Sequence, residues 1–288
     1  MAVTASSATC LNCGARLNGA FCSECGQRAI APYPTVRQMV GDTWQELSGW
    51  DGRFIGTFRV LLGRPGQLTI DTLEGRRVRY ITPVRLYLVA SVLYFLCAIS
   101  VPNLGGARTA ALPSGLQVTI VDDSGKPTQL SSETREEALK QLNRAPWWAK
   151  VILQPIVSDP AAFRIRVLET MPRVLFALLP VFAAIVALFY RRRPFSQHLV
   201  FALHLHAVVF TVLMVRELSQ VARSMAVLRV FELSAAITIA AYSLLAFRRV
   251  YGESWPRVLA KSAGIAAIYC VAGIAALLVT VLWAAIAA

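Results

Sequence analysis

Five blocks of about twenty apolar residues constrain this chain more than any other feature, because a bilayer's hydrocarbon core demands helices of that length. They run Pro83 to Val101, Pro172 to Tyr190, His198 to Leu218, Val227 to Phe247 and Ser262 to Ala285. Hydrophobic residues make up 56% of the 288 and charged ones 16%. A soluble domain carries about 25% charged residues, so this composition does not cover a solvated surface. The expected class is mainly α: a polytopic helical membrane domain of about five spans, with a small N-terminal metal ribbon and a small outer subdomain.

Charge placement gives an orientation. Arg191, Arg192 and Arg193 close the second block, and Arg248, Arg249, Arg257 and Lys261 fill the link between the fourth and fifth. Short basic loops stay at the cytoplasmic face, so alternation puts the N-terminus in the cytosol and the C-terminus outside. Residues 2–30 carry no apolar signal core and no small-residue cleavage site, which agrees with a retained N-terminus. The net charge of +13 then points to anionic lipid headgroups as partners. Nucleic acid is disfavoured, because no basic run interleaved with aromatics surrounds the cysteines.

Cys10, Cys13, Cys22 and Cys25 form two C-x-x-C pairs, each followed by a glycine, Gly14 and Gly26. Reduced cytosolic thiols at this spacing read as metal ligands before disulfides. Four thiolates favour tetrahedral zinc, and a fully thiolate-ligated site is structural because no coordination position stays open. A ribbon this short buries too little apolar surface to fold alone, so the metal stabilises it. A redox pair or an iron-sulfur site is the competing reading.

The segments order as a ribbon at 1–32, amphipathic helices within 33–81, a first span at 82–101, an outer subdomain or lid at 102–171 and a four-span domain at 172–288. Val36, Met39, Val40, Thr43, Trp44 and Leu47 repeat with helical spacing. Phe54, Ile55, Phe58, Leu61 and Leu62 do the same until Pro65 and Gly66 end the helix. Both helices suit either the inner membrane interface or packing on the membrane domain. In the outer segment, Leu116 to Val121 has strand character and Ser131 to Leu142 helix character.

Inside the membrane the three histidines, His198, His204 and His206, fall in one span. Ionisable groups at that depth raise a functional hypothesis, a proton, substrate or metal site. Helical geometry turns His204 and His206 about 200° apart, against an intrahelical metal clamp. Counting about 1.5 Å per residue brings His204 level with Tyr242 of the next span, so a hydrogen bond between these two is expected. Near the other end of this hairpin, Arg216 and Glu217 should pair with Arg229 and Glu232, and Arg85 should reach toward headgroups.

The stretches FCSECGQR at 21–28, DGRFIGTFRVLLGRPG at 51–66, EGRRVRYITPVRLYLVASVLYF at 74–95, MPRVLFALLP at 171–180, HLVFALHLHAVVF at 198–210 and YSLLAFRRVYGES at 242–254 resemble a bacterial membrane-protein family, domain of unknown function 3667. The resemblance implies a zinc ribbon joined to a membrane domain in a bacterial inner membrane. It implies no reaction. Three functions compete. The first is a non-enzymatic membrane module whose ribbon docks a cytosolic protein. The second is a small transporter or channel using the polar residues of the third and fourth spans, for which five-span chains would assemble as an oligomer around a pore. The third, an enzyme on lipid-linked substrates, ranks last because no G-x-S-x-G, H-E-x-x-H or P-loop is present.

Overall fold

The computed structural model describes residues 9–29, 35–36, 52–104, 140, 142, 146–219 and 225–286. Most of the first amphipathic helix and the expected strand and helix of the outer subdomain lie outside these residues. Among the described residues the fold is mainly helical: α1 Arg53–Gly63, α2 Gln67–Leu73, α3 Pro83–Leu104, α4 Trp147–Ser158, α5 Pro160–Phe189, α6 Phe195–Ser219, α7 Met225–Tyr251 and α8 Trp255–Ile286. Apolar stretches long enough to cross a bilayer occur at Ile165–Phe189, Phe195–Ser219, Arg229–Tyr251 and Trp255–Ile286, with a shorter one at Pro83–Ala98. Four to five helices therefore fit a multi-pass membrane protein. α5 differs from its expected start, because it begins at Pro160 and runs through Pro172. An interior proline forfeits one backbone hydrogen bond, and the helix continues across it where packing outweighs that loss.

Two compact units form, one from Met1–Gly106 and Leu179–Tyr269, the other from Ala107–Leu178 and Cys270–Ala288. In the first, α6 is the central post. Val200, Phe201, Ala202, Leu203, His204, Leu205, Ala207 and Val208 are all buried on it, and a helix apolar on every side belongs inside a bundle. α3 packs along it through Tyr87 and Tyr94, whose rings lie 5.7 and 5.5 Å from Phe210. α7 adds Phe247 and Tyr251 against Phe201. In the second unit, Val167 of α5 and Thr280 of α8 are buried, and the Thr280 hydroxyl donates to the Ala276 carbonyl at 2.8 Å. Outward faces of α7 and α8 expose Val230, Leu233, Ile237, Val271, Ile274, Val279 and Trp283, as helices solvated by lipid do.

α1 packs on the first unit, with Thr57 and Leu61 buried and Ile55 exposed. The Thr57 hydroxyl donates to the Arg53 carbonyl at 2.7 Å and accepts the Ile81 amide at 3.2 Å. The turn at Pro65 and Gly66 then reverses the chain into α2, which the sequence pattern does not announce. Leu68, Thr69, Asp71, Thr72 and Leu73 are buried, and α2 touches both α6 and α7. The reversal needs Gly66, whose φ is 76°. A Cβ there would stand 3.1 Å from the Ala246 carbonyl oxygen. α1 and α2 thus form a hairpin wedged against the long helices.

Asp71 organises the exit from this wedge. Its Oδ1 accepts from Arg76 Nη2 at 2.6 Å and Gln67 Nε2 at 2.8 Å, and its Oδ2 from the Tyr80 hydroxyl at 2.8 Å. Burial works to raise the carboxyl pKa, but the bonds from Arg76, Gln67 and Tyr80 outweigh it and hold the group below its ordinary value. A depressed folded-state pKa stabilises above the unfolded value of about 4 and loses that stabilisation as pH falls through the folded value. Asp71→Asn should therefore cost about 1–3 kcal/mol at neutral pH. The gap from wild type should close below about pH 4, read by thermal unfolding in detergent across pH; a gap constant down to pH 3 would contradict the assignment.

Candidate metal centre and polar contacts of the helical core

The two cysteine pairs fold into near copies of one turn. In the first, the Gly14 amide donates to the Cys10 carbonyl at 2.8 Å and the Cys10 amide to Ala15 at 2.7 Å; in the second, Gly26 donates to Cys22 at 2.9 Å and Cys22 to Gln27 at 2.8 Å. Gly14 and Gly26 have φ of 79° and 71°, a backbone state glycine enters without steric cost. Isolated antiparallel bridges, Thr9 with Arg16 and Phe21 with Arg28, close each turn.

The turns face one another so that all four sulfurs lie within 4.8 Å of each other. Cys10 Sγ is 3.6 Å from Cys25 Sγ, and Cys13 Sγ is 3.5 Å from Cys22 Sγ. A tetrahedral ion with metal–sulfur bonds of about 2.3 Å needs sulfurs about 3.8 Å apart, so the residues fit a four-thiolate metal centre. The Gln27 amide is the first influence on the Cys25 thiol, burial opposes it, and the Asn12 side chain assists it, with the net pKa lowered to about 6. At Cys13 the Ala15 amide acts in the same direction, but burial and the three neighbouring thiols outweigh it and raise the pKa to about 12, so the four thiols must shed their protons together, as they do on binding a cation.

The ribbon is seated on the chain that leaves α2. Gln27 is buried; its Nε2 donates to the Gly75 carbonyl at 2.6 Å, and its Oε1 accepts the Arg77 and Val78 amides at 3.2 and 3.4 Å. Arg79 donates to the Asn12 carbonyl at 2.9 Å. Gly75 has φ of 89°, and a Cβ on it would stand 2.7 Å from Leu11 Cδ1. Nothing in the spacing of the cysteines points to these seats. The signal that was available is the polar residue Gln27 directly after the second knuckle glycine.

In the helical core the expected His204–Tyr242 bond does not form. His204 Nδ1 instead meets Thr69 Oγ1 at 2.9 Å, and the Tyr242 hydroxyl donates to the Leu61 carbonyl at 2.6 Å. Both residues meet the α1–α2 hairpin, His204 through Thr69 of α2 and Tyr242 through Leu61 of α1, and these partners take the place of the expected bond. His198 Nδ1 lies 2.8 Å from the Tyr251 hydroxyl. His206 bonds the Ala202 carbonyl at 2.8 Å through Nδ1 and the Tyr269 hydroxyl at 2.9 Å through Nε2. The three histidines thus have separate partners, and no group of metal-ligating side chains among the described residues includes them. Tyr251 and Tyr269 were missed because helical phase, which decides facing, is invisible to a depth count.

The charges behave more nearly as expected. Arg216 pairs with its neighbour Glu217 at 3.2 Å and, across the α6–α7 hairpin, with Glu232 at 3.3 Å. Arg85, however, is buried with its guanidinium 4.9 Å from the Phe54 ring centre, so it packs on α1 and does not reach for headgroups. Cation–π contact supplies what headgroups would have.

With this geometry in place, comparison with known families adds one match. Residues 51–95 match the family described as protein of unknown function (DUF3667). The matched segment holds α1, the wedge α2, the Asp71 cluster and most of α3, so the likeness covers the part that seats the ribbon. No curated protein and no solved structure matches the chain.

Proposed function

We propose that this chain is a non-enzymatic, multi-pass module of a bacterial inner membrane, whose cytosolic four-cysteine ribbon holds structural zinc and mediates protein interaction. The cysteine geometry supports zinc, because the donor set is four thiolates at tetrahedral spacing and leaves no ligand position for substrate. The observation that carries the interaction role is the split character of the ribbon. Gln27 and Leu11 are engaged with the chain after α2, while Phe21 stands 62% exposed beside the second knuckle. An exposed aromatic on a rigid, metal-fixed turn is the sort of anchor protein interfaces use.

Phe21→Ala tests this without touching a metal ligand. Cross-linking in intact membranes should recover a partner with wild type and lose it with Phe21→Ala, while zinc content stays at one per chain. Identical cross-linked sets would defeat the docking role. A second reading, a small transporter or channel, draws on His204, whose Nε2 is buried beside α2 with no hydrogen-bond partner among the described residues. Reconstituted vesicles showing ion, metal or lipid flux that Thr69→Val and His204→Phe abolish would favour it over the docking role.

A further inference from the structure

A cavity of about 430 Å³ opens in the first unit where α5 ends and α8 begins, lined by Leu188, Arg191, Arg192, Arg193, Glu253 and Lys261, with Phe189, Tyr190 and Tyr251 completing it. Four cationic side chains meet one carboxylate there. Lys261 Nζ spends its charge locally, 2.6 Å from Glu253 Oε1 and 4.3 Å above the Tyr190 ring. Among the described residues none of the three arginines is ion-paired; Arg191 Nε donates to the Leu188 carbonyl at 3.2 Å. Tyr190 is 7% exposed, and among the described residues neither its hydroxyl nor the second oxygen of Glu253 has a partner. Buried polar atoms are seldom left this way in a finished core. A cavity edged by guanidinium groups that have no carboxylate partner among the described residues, with an unpaired hydroxyl and an unpaired carboxylate oxygen in its wall, has the chemistry of a ligand site.

The wall is also two-sided. Leu188 is 57% exposed on the outward face of α5, one turn from the arginines. A ligand filling the cavity thus meets apolar surface on one side and guanidinium groups on the other. Guanidinium forks bind phosphate oxygens bidentately, and Glu253 Oε2, buried and without a partner among the described residues, is the acceptor available to a hydroxyl carried on the same ligand. We infer that this cavity binds a phosphate group bearing a hydroxylated substituent, either the headgroup of an anionic glycerophospholipid or a soluble phosphate ester. The inference is independent of the ribbon's role, since no ribbon residue lines the cavity.

Native mass spectrometry of the full-length protein in detergent tests it, with phosphatidylglycerol, a diacylglycerol of the same acyl chains, and inorganic phosphate as probes. Phosphatidylglycerol should bind at least tenfold more tightly than diacylglycerol, and Arg192→Gln with Arg193→Gln together should remove that preference. Arg257→Gln, an exposed arginine in the first turn of α8 that does not line the cavity, should keep it. Displacement of the lipid by millimolar phosphate would assign the site to soluble esters, and resistance to phosphate would assign it to the lipid headgroup; either supports a phosphate site. Equal binding of diacylglycerol and phosphatidylglycerol, or an unchanged preference in the double variant that unfolds at the wild-type temperature, would overturn it.

Discussion

Cys22→Ser, or removal of the metal by a chelator, is expected to unfold residues 9–29 while the long helices remain folded. The ribbon has two isolated bridges and few buried apolar side chains beyond Cys10 and Cys22 themselves, so little besides the metal holds it. Structural zinc contributes on the order of 10–16 kcal/mol of apparent binding free energy in small ribbons. That exceeds what a 21-residue segment gains from its own packing, since chains below about 40 residues need a metal, disulfides or a partner. The loss should spread to the seat, because Gln27 is the acceptor for the Arg77 and Val78 amides. Hydrogen exchange should therefore show lost protection both at residues 9–29 and at residues 77–78, with α6 unchanged. Continued protection of the ribbon in the metal-free protein would contradict a metal-stabilised fold.

Gly66→Ala is the second large effect. Its φ of 76° costs a side-chain-bearing residue about 1–2 kcal/mol. The added methyl would also press to 3.1 Å on the Ala246 carbonyl oxygen and on Val250 Cγ2, where overpacking adds about 1–3 kcal/mol. The backbone of α7 cannot yield as a side-chain tip can, so the wedge must shift. Two further contacts register the shift: Arg249 Nη1 donates to the Pro65 carbonyl at 2.8 Å, and Thr69 meets His204. Thermal unfolding in detergent should show a destabilisation of about 2–5 kcal/mol, whereas Gly56→Ala, inside α1 where a Cβ meets nothing within 4 Å, should stabilise by up to about 1 kcal/mol. Equal losses at the two positions would mean that α2 is not held against α7.

These two cases mark what the sequence made legible and what it did not. The cysteine centre is local chemistry: two C-x-x-C turns and their glycines specify backbone and donor set within the 17 residues from Cys10 to Gly26, so spacing alone locates it. α1 is equally readable, because apolar residues recur at helical spacing until Pro65 and Gly66 stop them. α2 is not. Seven residues, QLTIDTL, are too few to display a period, and its polar members resemble a loop until they are seen bonded to Arg76, Tyr80 and His204. The histidine partners fail for a related reason. Residue counting along antiparallel spans gives depth, but Thr69 lies 135 residues from His204, and only the fold brings an intervening element between helices that are neighbours in sequence.

The central claim is that the four cysteines hold one zinc as a closed structural site. X-ray absorption at the zinc edge on full-length protein purified from membranes addresses it directly. One zinc per chain with four sulfur neighbours at about 2.3 Å is the predicted result. A metal-free protein, an iron-sulfur signature, or oxygen or nitrogen in the first coordination sphere would contradict it.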